Sequence, residues 1–432
     1  MVKKHRNHGL DGLKDYTEGI EGYKKTEVGV IPHDWEVDSI TKYCQEIFLG
    51  LTAKVDYVNH GGIPLIRATD ISNGKLSFQN ALFISNKQHK QLTKYRKAKL
   101  GDVLVSKSGS LGVCALVDTE KEFSIYESII VLQPILNKLF SRFLLYLVSF
   151  QDTQKRLLGE TVGSTVGHLN LNNFKQLQIP LPPLPEQKAI AQFLSDVDTL
   201  ITALDQVITK KCNIKQGTMQ QLLTAKKRLP GFSDEWKVKK LEDISTEIGD
   251  GIHATPEYVE SSEFYFINGN NLVHNSIEIN EKTKCVAQEE YRKYQKNLND
   301  TTILMSINGT IGNIAFYQNE NVILGKSAAY INIKNFISKT YIFYVLQTQA
   351  INCYFEDELT GSTIRNLSLK SIRNAPISVP PNIEEQKAIA QILSDMDAEI
   401  EALEQKRDKH KAIKQGMMQE LLTGKTRLIS SS

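Results

Sequence analysis

Apolar residues recur every three or four positions in two long stretches of the chain. In the first, residues 187–229, the spacing runs 4, 3, 4, 3, 4, which is the a/d pattern of a helix with one long apolar seam. A helix of about 40 residues at about 1.5 Å per residue would be about 60 Å long. The seam residues are Ile190, Leu194, Val197, Ile201, Leu204 and Ile208.

The second stretch, residues 386–428, repeats the first. The two align without a gap over 43 positions at an offset of 199, with 27 identities. Trp35 and Trp236 lie 201 positions apart in similar surroundings, so about 200 residues are duplicated as an internal pseudo-twofold repeat. The seam of the second stretch is formed by Ile389, Leu393, Met396, Ile400 and Leu403.

A seam of this length must be covered by other apolar groups. The other copy is the favoured cover, and a twofold axis across the helices makes the pair antiparallel. In that arrangement the rest of the chain forms two domains at opposite ends of a rigid rod. The alternative is that each helix packs on its own domain.

The regions between the helices contain short alternating apolar runs and Gly/Asn turns, which predict compact α/β domains. Leu104–Val117 is predicted as strand, turn, strand, and Ser141–Leu158 and Lys339–Glu358 have helical spacing. The predicted fold is mixed α+β, with two α/β domains joined by two long antiparallel, coiled-coil-like helices. The predicted boundaries are 1–25 for an N-terminal arm, 26–182 and 230–381 for the two domains, and 183–229 and 382–432 for the two helices.

Composition narrows the class of protein. Hydrophobic residues make up 41% of the chain, charged residues 23%, and the net charge is +3, all ordinary for a soluble globular protein. The five cysteines include no CxxC pair, so neither a disulfide framework nor a zinc site is indicated, and a reducing cytoplasm is expected. The most apolar run, Phe143–Phe150, is too short to span a membrane.

Catalytic motifs are missing from the sequence. No G-x-x-x-x-G-K-[ST] loop is present, and Gly109–Gly112 and Gly309–Gly312 are predicted hairpin turns. The acidic residues in Glu186–Lys188 and Glu385–Lys387 open helices, where capping is favoured over a nuclease site. The chain is therefore predicted not to be an enzyme by itself. A stand-alone DNA-modifying enzyme and a coiled-coil scaffold with protein-binding end domains remain the alternatives.

Several segments resemble the DNA specificity subunit of type I restriction-modification systems. They are PLPPLPEQKAIAQFL and VPPNIEEQKAIAQIL, the helix ends KQGTMQQLLTAKKRL and KQGMMQELLTGKTRL, the paired GST segments, and EVGVIPHDWEV near the N-terminus. The resemblance covers nearly all of the chain from about residue 26. It implies that each α/β domain is a target recognition domain reading one half of a split double-stranded DNA sequence.

The resemblance also implies partners. The helices would set the spacing between the half-sites and, around the seam residues named above, would dock two methyltransferase subunits that methylate adenine. Restriction subunits would then complete an ATP-dependent nuclease. No cofactor is expected in this chain, because S-adenosylmethionine, ATP and Mg²⁺ would be bound by the partner subunits.

DNA contacts require Lys, Arg, Ser, Thr, Asn, Gln or backbone N–H groups on exposed loops. For the Ser and Thr residues, ordinary turn and capping chemistry is an equal alternative. The candidates in the first domain are Arg67, Lys107, Ser108, Ser110, Ser164, Thr165 and His168. Those in the second are Asn268, Asn270, Asn271, Asn308, Thr310, Ser362, Thr363 and Arg365. The basic run from Lys87 to Lys99 is predicted to be a solvated face.

The two domains differ in charge. Residues 31–182 contain 17 basic and 13 acidic side chains, a net charge of +4, whereas residues 231–378 contain 14 and 18, a net charge of −4. An acidic second domain would bind DNA weakly alone. Tight binding is therefore expected only when the methyltransferase supplies further phosphate contacts.

Overall fold

The computed structural model describes residues 22–52, 54–59, 61–72, 74–158, 169–361 and 365–429. The described residues form two compact units. The first takes its residues from Met1–Ala203 and Lys406–Ser432, and the second is Leu204–Gln405. Each unit therefore contains one α/β region, the start of one long helix and the end of the other.

The first unit is built mainly from short strands. Its strands are β1 (Tyr23–Thr26), β2 (Gly29–Pro32), β3 (Glu36–Ser39), β4 (Cys44–Leu49), β5 (Ile63–Ile66), β6 (Ile71–Ser72), β7 (Lys75–Leu76), β8 (Leu82–Ile84), β9 (Val103–Ser106), β10 (Cys114–Leu116), β11 (Ser124–Ile125), β12 (Ile129–Pro134) and β13 (Gln178–Leu181). Its helices are α1 (Asn86–Leu92), α2 (Ser141–Ser149), α3 (Gln151–Leu158), α4 (Leu171–Gln176) and the start of α5 (Leu184–Leu222). Short 3-10 turns lie at Ile40–Lys42 and Ala68–Asp70.

The second unit repeats this order of elements from the end of α5 onward. Its strands are β14 (Lys237–Lys240), β15 (Ser245–Asp250), β16 (Tyr258–Val259), β17 (Phe264–Ile267), β18 (Leu272–Val273), β19 (Ser276–Ile277), β20 (Lys284–Val286), β21 (Thr302–Ser306), β22 (Ile314–Phe316), β23 (Val322–Leu324), β24 (Ala328–Ile333) and β25 (Pro376–Val379). Its helices are α6 (Gln288–Tyr294), α7 (Lys339–Leu346), α8 (Gln349–Asp357), α9 (Leu369–Asn374) and the start of α10 (Ile383–Leu421), with 3-10 turns at Leu241–Ile244 and Gly269–Asn271.

Both units share one sheet plan. In the first, an antiparallel sheet runs β10-β9-β12-β4, and in the second the corresponding order is β22-β21-β24-β15. A second sheet contains the parallel pair β5–β11 in the first unit and β17–β23 in the second. The central strands β12 and β24 are buried along their whole length, and each carries one buried amide side chain, Gln133 and Asn332, among apolar residues. The common scaffold therefore persists where the two sequences correspond only loosely.

The two helical regions predicted in the α/β domains are each divided. Phe150 has extended backbone angles (φ −67°, ψ 134°) between α2 and α3, and Thr348 does the same (φ −68°, ψ 150°) between α7 and α8. The helical spacing predicted over Ser141–Leu158 and Lys339–Glu358 is confirmed, and each segment is divided into two helices. The apolar period continues through each break, so the sequence pattern does not reveal it.

The long helices α5 and α10 contain 39 residues each. In the first unit Glu186 lies beside Arg427 and Asp198 beside Lys414, so the start of α5 runs antiparallel to the end of α10. In the second unit the same relation joins the end of α5 to the start of α10 through the pair Arg228 and Glu385. The antiparallel arrangement expected from the repeat is thus present within each unit.

The seam residues are largely buried inside the units. In the first unit Ile190 and Leu194 join a core that includes both α/β residues and Leu421 from the end of α10, so the two alternatives for covering the seam both hold. The buried seam residues are not accessible to a partner. The buried ones are Ile190, Leu194, Ile201, Leu204, Ile208, Ile389 and Leu393, and the half-buried ones are Val197, Met396, Ile400 and Leu403.

The glutamate at each long-helix start is buried in an ion pair. Both oxygens of Glu186 accept from Arg427, at 2.6 and 2.8 Å, and its Oε2 also accepts from the Trp35 indole at 3.0 Å. Glu385 accepts from Arg228 at 2.7 and 2.9 Å. Both carboxylates lie in the first turn of their helix, as expected, and antiparallel packing in addition brings a helix-end arginine to each of them.

The glutamine that follows ties each helix start to its α/β region. Gln187 accepts from the Phe140 amide at 2.8 Å and donates to the Lys138 carbonyl at 3.0 Å. Gln386 accepts from the Ser338 amide at 2.8 Å. Because these amides are buried and bonded, the Glu-Gln-Lys motif is accounted for by the fold.

Candidate nucleic-acid interface

Three loop segments of the first unit meet at Ser128. The Ala68 amide donates to the Ser128 hydroxyl at 3.1 Å, and the Lys107 amide donates to the Ser128 carbonyl at 2.7 Å. The Leu169 amide in turn donates to the Lys107 carbonyl at 3.3 Å. The structure thus brings the Arg67 turn, the Lys107 hairpin and the segment ending the first GST region to one end of the sheet.

The second unit forms the same junction at Ser327. The Gly269 amide donates to the Ser327 hydroxyl and the Ile307 amide to its carbonyl, both at 2.9 Å. Leu367 donates to the Ile307 carbonyl at 2.9 Å, and Asn308 forms a β-bridge with Asn366. Loops far apart in sequence are therefore gathered in the same way in both units.

The two hairpin turns at these junctions are held by a buried serine. In the first, the Ser106 hydroxyl accepts from the Val113 amide at 2.8 Å and bonds to the Ser110 carbonyl. Gly109 and Gly112 have φ of 76° and 74°, a region that glycine adopts without steric cost. The predicted strand, turn, strand over Leu104–Val117 is confirmed, and the turn presents its tip to solvent.

Three predicted contact residues are used by the fold itself. Arg67 donates from Nε to Asp70 at 3.3 Å and from Nη2 to the Asn80 carbonyl at 3.1 Å. Asn268 and Asn271 cap the equivalent 3-10 turn, with the Asn268 amide 2.9 Å from the Asn271 side-chain oxygen. A 3-10 turn this short needs such side-chain partners for its free backbone groups. These three side chains therefore hold the shape of the loop.

The remaining described candidates lie at the loop tips. Ser110, Asn270 and Thr310 are exposed, whereas Lys107, Ser108 and Asn308 are half-buried. Asn308 also donates to the Lys326 carbonyl at 3.2 Å. Arg365 pairs with Glu356 at 3.0 Å, but both side chains are more than 60% exposed, so a phosphate can compete for the guanidinium. Ser164, Thr165, His168, Ser362 and Thr363 lie outside the described residues.

The sequence prediction missed the residues at the centre of each junction. Ser128 and Ser327 lie 199 positions apart, the same offset as the helices, and this match within divergent sequence was the available signal. The residue before each serine differs in charge: Glu127 is half-buried in the first unit, and Lys326 is exposed in the second. The position before the serine therefore carries opposite charges in the two units.

Within the described part of the chain, no group of three or more His, Cys, Asp or Glu side chains could hold a metal ion. Among the same residues, no helix is both long and apolar enough to cross a membrane.

Comparison with known proteins gives the family. The profile of the type I restriction modification DNA specificity domain matches residues 32–213 and again residues 233–411. The chain belongs to this family. Its two specificity domains correspond to the two halves of the repeat, and the resemblance stated from the sequence is confirmed.

Two relatives align with this chain over nearly its full length. The chain is 29% identical to a putative type I restriction enzyme MjaX specificity subunit of Methanocaldococcus jannaschii, over 96% of this chain and 99% of that protein. It is 26% identical to the MjaVIII specificity subunit of the same organism, over 94% and 96%. Subunits of this kind recognise DNA and are non-catalytic, so the chain is a specificity subunit and not an enzyme.

A solved structure shows the same fold. The type I restriction-modification S subunit from M. genitalium matches with a TM-score of 0.56 at 17% identity, covering 90% of this chain and 96% of that one. The predicted class, mixed α and β with two recognition domains and long helices in an internal repeat, is confirmed.

Proposed function

We propose that each recognition domain reads one half of a bipartite double-stranded DNA target. The domain within 26–182 reads one half-site and the domain within 230–381 reads the other. The long helices, within 183–229 and 382–432, fix the gap between the half-sites. A split target requires a fixed spacing because the register on the duplex depends on the distance between the reading elements.

One observation carries this proposal. Both units gather three loops at an equivalent serine on one scaffold, yet the side chains at the tips differ. Lys107 corresponds in position to Ile307, Ser108 to Asn308, and Glu127 to Lys326. Base edges in the major groove present distinct donors and acceptors, so a shared scaffold with different tip residues suits two different half-sites.

The contact residues follow from exposure. Phosphate and base contacts are proposed for the exposed and half-buried tip residues, whose side chains do not cap the 3-10 turns. They are Lys107, Ser108, Ser110, Asn270, Asn308, Thr310 and Arg365. Arg67, Asn268 and Asn271 are proposed to position these tips.

The partners are proposed to be two methyltransferase subunits that methylate adenine and, through them, restriction subunits. Exposed apolar side chains support docking on α5, where Phe193 and Leu200 are exposed in the first unit and Val207 and Ile214 in the second. In each pair the spacing is seven residues, so both side chains lie on one helix face. S-adenosylmethionine, ATP and Mg²⁺ belong to the partners in this proposal.

The test is to express the chain with its modification subunit and map methylated adenines across a genome. Each recognition domain is then exchanged for that of a relative with a different target. The proposal expects a split motif in which each exchange changes one half and leaves the other half and the spacing unchanged. A methylation pattern that neither exchange alters would refute it.

A further inference from the structure

A dense cluster of positive charge lies on the first unit, apart from the junction at Ser128. Residues 86–100 contain no acidic side chain. The corresponding residues 288–299 of the second unit contain three basic and two acidic side chains. The six basic residues of the first unit, all exposed, are Lys87, Lys90, Lys94, Arg96, Lys97 and Lys99, and we call them the basic platform.

The platform charges are mostly free to bind an external anion. Within the described residues, an ion pair is found for Arg96 alone, with Glu46 at 3.5 Å, and both side chains are well exposed. Lys94 lies over the ring of Tyr95, which is 85% exposed and places a phenolic hydroxyl beside the lysines. In the second unit, by contrast, Lys293 is paired with Glu290 at 3.2 Å.

The backbone of the platform is fixed from inside the unit. The buried Asp102 carboxylate accepts from the Lys99 amide at 2.7 Å and from the Gln133 side chain at 2.8 Å. Gln133 also donates to the Lys97 carbonyl at 3.0 Å. A fixed backbone lowers the entropy lost when the lysines bind a ligand. The Lys97–Lys99 end of the cluster is therefore held by the fold, and Lys87 and Lys90 lie on helix α1.

The platform also lies within reach of a duplex bound at the junction. Strand β12 begins next to Ser128, at the junction, and Gln133 near its other end holds the platform. Five residues at about 3.4 Å each separate the two points by about 17 Å. That is about five base pairs of duplex rise at about 3.4 Å per pair. This separation is within the length of one bound duplex.

We propose that the basic platform binds the phosphate backbone of duplex DNA beside the half-site of the first domain, without reading sequence. This inference rests on the proposed function and adds an asymmetry to it. The first domain anchors the DNA electrostatically, whereas the second domain, with a net charge of −4 over residues 231–378, has no matching cluster in its counterpart segment. In this proposal the run from Lys87 to Lys99, which the sequence predicts to be a solvated face, binds phosphate.

The test uses the chain purified in complex with its modification subunit. The variant Lys87→Gln/Lys90→Gln/Lys94→Gln is compared with Lys138→Gln/Lys155→Gln/Lys175→Gln, which removes the same charge from exposed lysines of the same unit. Fluorescence anisotropy measures affinity for cognate and scrambled duplexes at several salt concentrations. The slope of log K against log salt is negative, and each lost phosphate contact should reduce its magnitude by about 0.9.

In the platform variant the magnitude of this slope should fall by about 2 to 3 for both duplexes, while the methylated sequence stays unchanged. An unchanged slope, or an equal fall in the control variant, would overturn the inference while leaving the proposed function intact. Loss of the modification subunit from the platform variant without DNA would also overturn it, because the surface would then bind a protein. Absence of cognate preference in the wild-type complex would instead refute the proposed function.

Discussion

Removing the arginine that pairs with the buried Glu385 should strongly destabilise the second unit. Glu385 is fully buried and accepts two hydrogen bonds from Arg228, whose guanidinium also lies 5.7 Å from the Trp236 ring. In Arg228→Met the carboxylate keeps its burial and loses both bonds. Breaking a buried pair from one side costs about 3 to 5 kcal/mol, because an uncompensated charge remains.

The matching change in the first unit should cost less. In Arg427→Met, Glu186 would still accept from the Trp35 indole at 3.0 Å, whereas the Trp236 indole N–H has no partner among the described residues. A hydrogen bond to a charged group contributes about 1.5 to 3 kcal/mol. Arg427→Met also breaks the partly exposed pair with Asp34, which contributes up to about 1 kcal/mol, so the loss in the first unit should be smaller by about 1 to 2 kcal/mol.

Urea unfolding followed by tryptophan fluorescence measures both losses, because Trp35 and Trp236 report on separate units. With m of about 2 kcal/mol per M, the Arg228→Met midpoint should fall by about 1.5 to 2.5 M. Lys227→Met, an exposed neighbour, should move it little. Arg228→Met/Glu385→Gln should recover part of the loss, since no buried charge remains. A fall below about 0.5 M, or a double variant less stable than the single one, would contradict this reasoning.

Three further outcomes are expected. Burial raises the pKa of Asp102 from 3.8 to about 6, so its ionisation costs stability as pH rises through that window. Above pH 7 the free energy of unfolding of Asp102→Asn should exceed that of the wild type by up to about 3 kcal/mol. At pH 4 the two should be equal, as urea titrations at each pH would show. Leu200→Glu should reduce co-purification of the modification subunit at least about tenfold, a loss of about 1.4 kcal/mol of binding free energy. The control Gln206→Glu should not reduce it. Equal retention of the subunit by both variants would argue against docking on α5. Lys326→Glu should alter the methylated half-site of the second domain alone, as adenine mapping would show, and a change in both halves would contradict a local role.

Sequence periodicity predicted some features of the long helices but not others. Their length and antiparallel relation followed from the seam and the repeat, because heptad spacing and duplication are properties of sequence order. The packing partners did not follow. Ile190 is covered by both its own α/β region and the end of α10, and the choice between these partners depends on three-dimensional contacts.

Predictions for the recognition loops were less complete. The G-x-x-G hairpin over Leu104–Val117 was recognisable because glycine marks a positive φ. Arg67 was chosen for its chemistry, and the structure shows that its guanidinium bonds to Asp70 and to a carbonyl 13 residues away. Residue type alone does not separate a capping side chain from one that is free to bind.

The sequence by itself determined the duplication, the two long helices, the mixed α/β class and the family, because each depends on order and spacing along the chain. Only the tertiary structure showed that Ser128 and Ser327 gather the loops, that Glu186 and Glu385 are buried against arginines, and that the platform backbone is held by Asp102. Each of these depends on contacts between residues dozens to hundreds of positions apart or on burial, and side-chain burial is set by packing and not by local sequence.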